Sequence, residues 1–144
     1  MKIAVGSDHG GYFLKEAIKK YLKDKGHKVK DFGTFSTDSC DYPDFGKELA
    51  QAVADGKFSR GVLICGTGIG MSMVANKVTG IRAALCTDGY MAQMARAHNN
   101  ANILCMGERV IGEGLAKDIL EKFLTTKFEG DRHRRRVRKI MALD

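Results

Sequence analysis

The stretch with the clearest chemical potential in this 144-residue chain is a cysteine followed by glycines at alternate positions. Cys65 ends the apolar run VLIC, and Gly66, Gly68 and Gly70 come directly after it. Glycines leave backbone N–H groups uncovered, and uncovered N–H groups at the start of a helix bind anions. The spacing G-x-G-x-G matches neither of the two common nucleotide-binding glycine patterns. The loop is therefore predicted to bind an anion, unless it is only a tight turn between a strand and a helix.

Cys65 itself is open to two interpretations. A cysteine at the end of a buried strand is usually a packing residue. A thiol beside bare N–H groups at a helix N-terminus can instead act as a thiolate. A thiolate there can take a proton from carbon while the N–H groups hold the resulting oxyanion, each donor contributing about 3 kcal/mol in the transition state. Thr67 and Ile69 lie in the same loop, where Thr67 adds a hydroxyl group.

More polar side chains follow the first apolar run of the chain. Asp8 and His9 stand there, followed by a pair of glycines. Asp8 can shuttle a proton between two substrate oxygens and His9 can face an anion, although an acidic residue here can also simply cap a helix. Tyr42, in the stretch DYPD, lies in a predicted loop that is otherwise a plain turn.

A histidine and two arginines form a third candidate group. His98 and Asn99 end a predicted helix, where a histidine is more often a surface residue stabilised by the helix dipole than a catalyst. Arg132 and Arg136 are four residues apart, so they share one helix face and fit a phosphate. Segment 131–139 carries five Arg and one Lys against one Asp within a chain of net charge +7, so a nucleic-acid-binding tail is the rival interpretation. No aromatic residues interleave with the arginines to stack bases, and we expect no nucleic-acid partner.

The elements that must position these residues alternate along the chain. The hydrophobic pattern predicts strands over 2–7, 27–32, 60–65, 81–86 and 102–107, and helices over 10–26, 44–56, from near 70, 88–98, 112–127 and 131–144. This alternation predicts a three-layer, doubly wound α/β fold with a five-stranded parallel sheet in the flavodoxin-like order 2-1-3-4-5. Ligands in such sheets bind between strands one and three, where Asp8 and Cys65 stand. Residues 1–144 are expected to form one domain, whose last, basic helix packs on a partner subunit.

Other sequence features exclude several classes of protein. The four cysteines are spread singly, and no carboxylate–histidine cluster stands out at ligand spacing, so we predict neither a metal nor another cofactor. No apolar segment approaches the roughly 18 residues needed to span a membrane. The N-terminus has no signal-peptide layout, so a cytoplasmic protein without membrane contact is expected.

Seven motifs, in order along the chain, resemble one family of sugar-phosphate isomerases. They are SDHGG at 7–11, DYPD at 41–44, CGTGIG at 65–70, ANK at 75–77, HNNAN at 98–102, GER at 107–109 and R-H-x-x-R at 132–136. Together they resemble the ribose-5-phosphate isomerase B and lactose-pathway galactose-6-phosphate isomerase family. The resemblance implies a cofactor-independent aldose–ketose isomerase that interconverts ribose 5-phosphate and ribulose 5-phosphate through a cis-enediolate. It also implies a homodimer or homotetramer with its sites between subunits.

The resemblance implies a role for each candidate residue. Cys65 is the base that moves a proton between C1 and C2, and His98 opens the furanose ring. Asp8 serves the proton exchange between O1 and O2, and Thr67 helps the glycine loop to hold the enediolate. The remaining substrate contacts are assigned to His9, Tyr42, Gly66, Gly68, Ile69, Gly70, Asn99, Arg109, Arg132 and Arg136. Of the whole set, His98, Asn99 and Arg109 are expected to come from the neighbouring subunit.

Alternatives remain at this point. Some family members use a glutamate just after the glycine loop as the base, but Met71 stands there and indicates the cysteine type. The nearest alternative is an isomerase of a six-carbon substrate, allose 6-phosphate or galactose 6-phosphate. The galactose enzymes work as two different subunits that each lack part of the residue set, so the full set favours a self-sufficient ribose enzyme. A non-catalytic anion- or nucleotide-binding module and a nucleic-acid binder are the more distant alternatives.

Overall fold

The computed structural model describes all 144 residues, which form five strands, six α-helices and one 3-10 helix. The strands are β1 (Lys2–Ser7), β2 (Lys28–Asp31), β3 (Arg60–Cys65), β4 (Ala83–Leu85) and β5 (Ile103–Gly107). The α-helices are α1 (Tyr12–Asp24), α2 (Tyr42–Ala54), α3 (Ile69–Ala75), α4 (Gly89–Ala97), α5 (Glu113–Thr125) and α6 (Asp131–Met141). The 3-10 helix, His9–Gly11, joins β1 to α1. The predicted alternation of strands and helices is confirmed.

All five strands are parallel and form one sheet in the order β2-β1-β3-β5-β4. The predicted fold class and the adjacency of β1 and β3 are confirmed, but the predicted order of the last two strands is wrong. Strand β5 is buried at every residue, so it needs a neighbour on each side. Strand β4 has only three residues, all of them partly exposed, and therefore lies at the edge.

Two hydrophobic cores lie on the two faces of the sheet. Eighteen buried residues on one face join the central strands to α1, α4 and α5, and eleven on the other face join them to α2 and α3. Neighbouring strand residues alternate between the cores: Ile64 belongs to the larger one and Leu63 to the smaller one. Double burial explains the nearly continuous apolar composition of β3 and β5.

Several boundaries differ from those predicted. Helix α2 begins at Tyr42 rather than at residue 44, because Pro43 suits the first turn of a helix. Tyr42 therefore lies on a helix and not in a loop. Helix α6 ends at Met141, with His133 and Val137 as its buried residues. No helix combines the length and the apolar character that crossing a membrane requires.

Parallel strands give the sheet two chemically distinct edges. We call the edge where the strands end the carboxyl edge and the edge where they begin the amino edge. Cys65, at the end of β3, is in register with Gly107 at the end of β5, whereas Gly61 is in register with Ile103 at its start. A strand rises about 3.3 Å per residue, so the first and last residues of β5 hold the two edges at least roughly 13 Å apart.

Candidate active site

The glycine loop at the carboxyl edge folds around the sulfur of Cys65. The backbone N–H of Gly68 donates a hydrogen bond to Cys65 Sγ at 3.1 Å. Gly68 adopts a φ of 80°, and a Cβ added there would lie 2.6 Å from Leu85 Cδ1. Both the backbone conformation and the lack of space therefore require glycine at this position. The sulfur thus accepts a backbone N–H inside the loop that the sequence predicts to hold an anion.

Two other cysteines, Cys86 directly after β4 and Cys105 within β5, are buried outside the glycine loop. Burial raises the pKa of the Cys86 thiol to about 12, and the charge of Asp88 adds to the effect. Burial likewise raises the pKa of Cys105, which is enclosed in the smaller core. These two residues are neutral packing thiols at physiological pH. Only Cys65 lies in the glycine loop.

The turn after β1 packs directly against this loop. Asp8 is buried, and its Oδ1 accepts the N–H of Gly10 at 2.9 Å, so the capping role considered from the sequence is present. A Cβ on Gly10 would lie 3.3 Å from the backbone nitrogen of Gly66, and a Cβ on Gly11 would lie 2.6 Å from the Ile64 carbonyl oxygen. The glycines therefore allow the two loops to touch. The structure places Asp8 and the Cys65 loop together, at the predicted switch point.

Two further predicted residues border the same loop. Tyr42 lies over Gly70, where an added Cβ would be 2.7 Å from the tyrosine ring. His9 Nδ1 accepts the backbone N–H of Cys40 at 3.2 Å, and the Cys40 sulfur lies 3.8 Å from the same atom. Cys40 was not identified from the sequence, because no local pattern links it to a residue 31 positions away. The contact fixes the His9 ring at the rim of the carboxyl edge.

Arg109 also belongs to this cluster. Its backbone N–H donates to the Gly66 carbonyl at 3.1 Å, and its Nη1 would lie 3.4 Å from a Cβ on Gly66. The expectation that Arg109 comes from the neighbouring subunit therefore differs from the structure, in which Arg109 lies against the glycine loop of its own chain. The reason is local: β5 ends beside β3, and the residues that follow it must cross the loop.

Glu108, the middle residue of the GER motif, supports the cluster without having been predicted to. Its Oε1 accepts the N–H of Leu14 in the first turn of α1 at 3.1 Å, and its own N–H donates to the Cys65 carbonyl at 3.0 Å. Burial raises the pKa of Glu108, and the charge of Asp8 adds to this, against the hydrogen bond from Leu14 and the charge of Arg109. Glu108 therefore ties the start of α1 to the end of β3.

The other predicted residues lie at the amino edge. His98 caps the C-terminus of α4, Asn99 follows it, and Arg132 and Arg136 are exposed on α6. The ring of His98 stacks on the ring of His133, with centroids 4.1 Å apart and planes 6° from parallel. The structure thus brings His98 and the R-H-x-x-R helix together, but it separates them from Cys65 by the length of the sheet.

Two arginines that the sequence analysis did not identify hold the turn after α4. Arg82 Nε donates to the carbonyls of Asn99 and Asn100, each at 3.1 Å. Arg96 Nη1 donates to Asn100 Oδ1 at 2.9 Å and also to the Ala101 carbonyl. The spacing of four between Arg96 and Asn100 is the only local signal for these contacts, because Arg82, directly before β4, is 17 positions from Asn99.

One carboxylate–histidine cluster exists, although none stood out in the sequence. The ligand atoms of His98, Glu129 and His133 all lie within 4.8 Å of one another. An imidazole binds a metal through a lone pair in the plane of its ring. Because the two rings are nearly parallel, their lone pairs run side by side instead of converging on one point. The geometry of the two rings therefore does not fit a metal ion bound by both. That the protein binds no metal stays a prediction.

Comparison with known sequences identifies the family of this chain. The sequence matches the family described as Ribose/Galactose Isomerase over residues 3–140. The ribose-5-phosphate isomerase B of Escherichia coli (strain K12) is 47% identical over 143 residues, which are 99% of this chain and 96% of that protein. The D-erythrulose-4-phosphate isomerase of Pectobacterium atrosepticum is 49% identical over 97% of this chain and 93% of its own length.

Solved structures give the same picture at the level of the fold. The ribose-5-phosphate isomerase B of Clostridium thermocellum superposes with a TM-score of 0.98 at 57% identity, covering 99% of this chain and 97% of that one. The corresponding protein of Thermotoga maritima has a TM-score of 0.96 at 52% identity, covering 98% of this chain and 97% of its own. With a family match along nearly its whole length, this chain belongs to the Ribose/Galactose Isomerase family.

Proposed function

We propose that this protein is an aldose–ketose isomerase that interconverts ribose 5-phosphate and ribulose 5-phosphate. The observation that carries the proposal is the Cys65 sulfur, held by the Gly68 N–H inside a glycine loop at the switch point of the sheet. The similarity to proteins named ribose-5-phosphate isomerase B supports the five-carbon substrate. The single domain formed by residues 1–144 needs no cofactor for this chemistry.

The reaction moves one hydrogen between neighbouring carbons. The Cys65 sulfur takes the proton from C2 of the open-chain aldose, and the electron pair passes through C1 to the carbonyl oxygen to give an enediolate. The N–H groups of the loop, with Thr67 beside them, hold the negative oxygen. Asp8 moves the hydroxyl proton from O2 to O1, and the sulfur returns its proton to C1. Atoms and charge balance without a redox partner.

Binding of the phosphate and opening of the ring draw on both edges of the sheet. His9 and Arg109 supply cationic or donor groups at the carboxyl edge, and Arg132 and Arg136 supply two guanidinium groups at the amino edge. His98 at the amino edge opens the furanose ring. Asn99, Tyr42 and the loop residue Ile69 contact the sugar.

One chain cannot join these two sets, since β5 lies between them. We infer that the protein is a homo-oligomer, at least a dimer, in which the amino edge of one subunit completes the carboxyl edge of another. This division assigns Arg132 and Arg136 to the same subunit as His98 and Asn99. Helix α6 supports it, because its exposed arginines project from the amino edge, where a partner subunit and its bound phosphate can meet them.

Replacement of the cysteine is the direct test of the base. Cys65→Ala is expected to abolish isomerisation of ribose 5-phosphate, because no other proton acceptor occupies the loop, while binding of the sugar phosphate persists. Turnover is measured with a coupled assay and binding by calorimetry. Cys86→Ala is the matched control, since it removes a cysteine that flanks a strand outside the loop, and it should remain active. Near-native turnover of Cys65→Ala would rule out the sulfur as the base.

Substrate length is the main alternative. A six-carbon sugar phosphate, allose 6-phosphate or galactose 6-phosphate, requires room for one more hydroxymethylene group, and the family description includes galactose. A four-carbon substrate also has support, from the relative named for D-erythrulose 4-phosphate. Comparing kcat/KM on four-, five- and six-carbon substrates distinguishes these possibilities, and we expect the five-carbon substrate to be preferred.

Mixing two inactive variants tests the shared site. Co-expression of Cys65→Ala with His98→Ala gives heterodimers in which one of the two sites has both residues intact. A random mixture should therefore recover about a quarter of wild-type activity. If both residues acted within one chain, no combination of subunits would restore activity.

The four cysteines of this chain are all free thiols, which suits a reducing compartment. We infer from this that the enzyme works in the cytoplasm, within pentose phosphate metabolism.

A further inference from the structure

Two residues outside the predicted set surround His98. The His133 ring stacks on one face of the His98 ring at a centroid distance of 4.1 Å. The Glu129 Oε2 atom lies 3.8 Å from Nε2 of His98 and 3.4 Å from Nε2 of His133. One carboxylate oxygen thus faces the same nitrogen of both rings.

Burial distinguishes the two histidines. The side chain of His133 is 7% exposed, whereas that of His98 is 37% exposed, so only His98 is open to a substrate. Burial lowers the pKa of His133, and the charges of His98, Arg132 and Arg136 lower it further against the opposing effect of Glu129. His133 is therefore a neutral, rigid surface behind the exposed ring. Its Nε2 atom has no hydrogen-bond partner in the protein, and the Glu129 carboxylate oxygen, 3.4 Å away, lies outside hydrogen-bonding geometry.

The backbone holds this arrangement in place. The N–H of Glu129 donates to the carbonyl of Ala97, the residue directly before His98, at 3.0 Å. His133 follows four residues later on α6, and its N–H donates to the Gly130 carbonyl at 2.9 Å. The connection between α5 and α6 is thereby joined to the end of α4, and it brings both supporting side chains to the same ring.

We propose that Glu129 and His133 are positioning residues that hold the His98 imidazole for opening of the sugar ring. This inference rests on the proposed function of His98. Ring opening removes the proton from the O1 hydroxyl, breaks the bond between C1 and O4, and places a proton on O4, which leaves a carbonyl at C1. The imidazole must exchange one proton with each oxygen, so the orientation of its nitrogens decides the rate. The stack fixes the plane of the ring, and the negative charge of Glu129, 3.8 Å from Nε2, favours one orientation of the ring nitrogens within that plane.

Two measurements separate ring opening from the proton transfer at carbon. Net turnover of ribose 5-phosphate, which is cyclic in solution, requires both steps. Exchange of a C1 proton of ribulose 5-phosphate with deuterium from the solvent requires only Cys65 and the enediolate, because this ketose is open-chain. The exchange is followed by proton NMR in heavy water.

The variants are Glu129→Gln, His133→Ala and His133→Phe, with His98→Ala as the reference. Glu129→Gln and His133→Ala are each expected to lower turnover of ribose 5-phosphate by about tenfold, a fraction of the full acid–base contribution of His98. Exchange at C1 should stay within about twofold of wild type, because the Cys65 half of the site is untouched. His133→Phe should recover most of the turnover, since phenylalanine restores a flat ring for the stack. The ring-nitrogen chemical shifts of His98 should change in Glu129→Gln.

Glu113→Gln is the matched control. Glu113 is 57% exposed and pairs with Lys117 four residues on, much as Glu129 is 56% exposed and faces His133 four residues on. The control should leave turnover, exchange and the His98 shifts unchanged. A parallel loss of turnover and exchange in Glu129→Gln or His133→Ala, or no loss of either, would overturn the proposal. Full turnover in His98→Ala would instead refute the role of His98 itself, and the positioning role would be lost with it.

Discussion

The carboxyl and amino edges of the sheet present two different kinds of site. At the carboxyl edge, the groups assigned to the chemical step are backbone N–H groups and the buried side chains of Cys65 and Asp8, held by direct contacts between loops such as those of Gly10 and Gly11 with the β3 loop. At the amino edge, the groups are exposed side chains on helix ends, among them His98 and the arginines of α6. The groups of the first edge are held together by contacts within one chain, whereas the second edge presents its functional groups outward.

This difference indicates how the two halves divide the chemistry. Stabilising an oxyanion depends on donors that do not move, so the groups are best built from backbone that the sheet holds rigidly. Binding a phosphate and opening a ring depend on long, charged or titratable side chains, which can extend from one subunit to another. Changes to Cys65, Asp8 and the glycine loop are therefore expected to affect the chemical step, and changes at the amino edge to affect phosphate binding and ring opening.

Apart from replacement of Cys65 itself, the largest effect is expected from Gly68→Ala. A methyl group at this positive-φ position would overlap Leu85 and lie 2.8 Å from the Met106 carbonyl carbon, so the loop must move away from Cys65. Turnover should fall at least about a thousandfold as the oxyanion donors are displaced. Because both defects lie in the same half-site, mixing this variant with Cys65→Ala should restore nothing.

Gly114→Ala is the control for that change. Gly114 lies in the first turn of α5 and has nothing within 4 Å of an added Cβ, so alanine should be neutral or stabilising by about 0.5 kcal/mol. Thermal unfolding of both variants separates loss of the loop from loss of the fold. Recovery of activity in the mixture of Gly68→Ala with Cys65→Ala would contradict the assignment of the whole glycine loop to one half-site.

The second-largest effect is expected from a loss of stability at the carboxyl edge, when Asp31 is replaced by asparagine. Lys15 is fully buried, and its Nζ donates to both carboxylate oxygens of Asp31 at 2.8 and 2.7 Å. Asp31 also accepts from Lys19 and from the N–H of Gly33, at the start of the loop that leads to Cys40. Asp31→Asn should lower the free energy of unfolding at neutral pH by about 3 kcal/mol, the low end of the range for breaking a buried ion pair, because the buried Lys15 ammonium group keeps only Glu16, at 3.2 Å, as a counter-charge.

The contribution of Asp31 to stability is expected to depend on pH, and the direction follows from the shift of its pKa. Burial alone raises the pKa of Asp31, but the hydrogen bonds from Lys15, Lys19 and Gly33 outweigh it and lower the pKa overall. The contribution is therefore complete above the unfolded-state value of about 3.9 and is lost as the pH falls through the lower folded-state value. Urea unfolding between pH 3 and 7 measures this contribution, and the stability of the variant should fall less steeply than that of the wild type at acidic pH.

Asp24→Asn, in an exposed pair with Lys20, is the control and should change stability by less than about 1 kcal/mol. Equal effects of the two variants would refute the role of the buried pair.

How much of the structure could be predicted from the sequence depends on how far apart along the chain the interacting residues lie. The runs VLIC and ILCMG and the glycines after Cys65 are local signals, so the strands and the switch point could be predicted. The order of β4 and β5 depends on how two crossover helices pack, which no single segment records. The contact between His98 and His133 joins residues 35 positions apart, and the contact of Arg82 with Asn99 joins neighbouring elements; neither has a local pattern. Glu129 and His133 stand four residues apart in the sequence, but what this spacing does depends on where α4 ends.

The smallest effect is expected at the amino edge, from Arg82→Met. The methionine keeps much of the volume but removes the hydrogen bonds to the Asn99 and Asn100 carbonyls, which should lower kcat/KM about tenfold, the equivalent of 1–2 kcal/mol. Arg138→Met, on the exposed part of α6, is the control and should be near wild type.

The defect of Arg82→Met lies in the His98 half-site. Mixing Arg82→Met with Cys65→Ala should therefore restore activity, whereas mixing Gly68→Ala with Cys65→Ala should not. If neither mixture recovered, the two edges would not come from different subunits, and the division between them would be wrong.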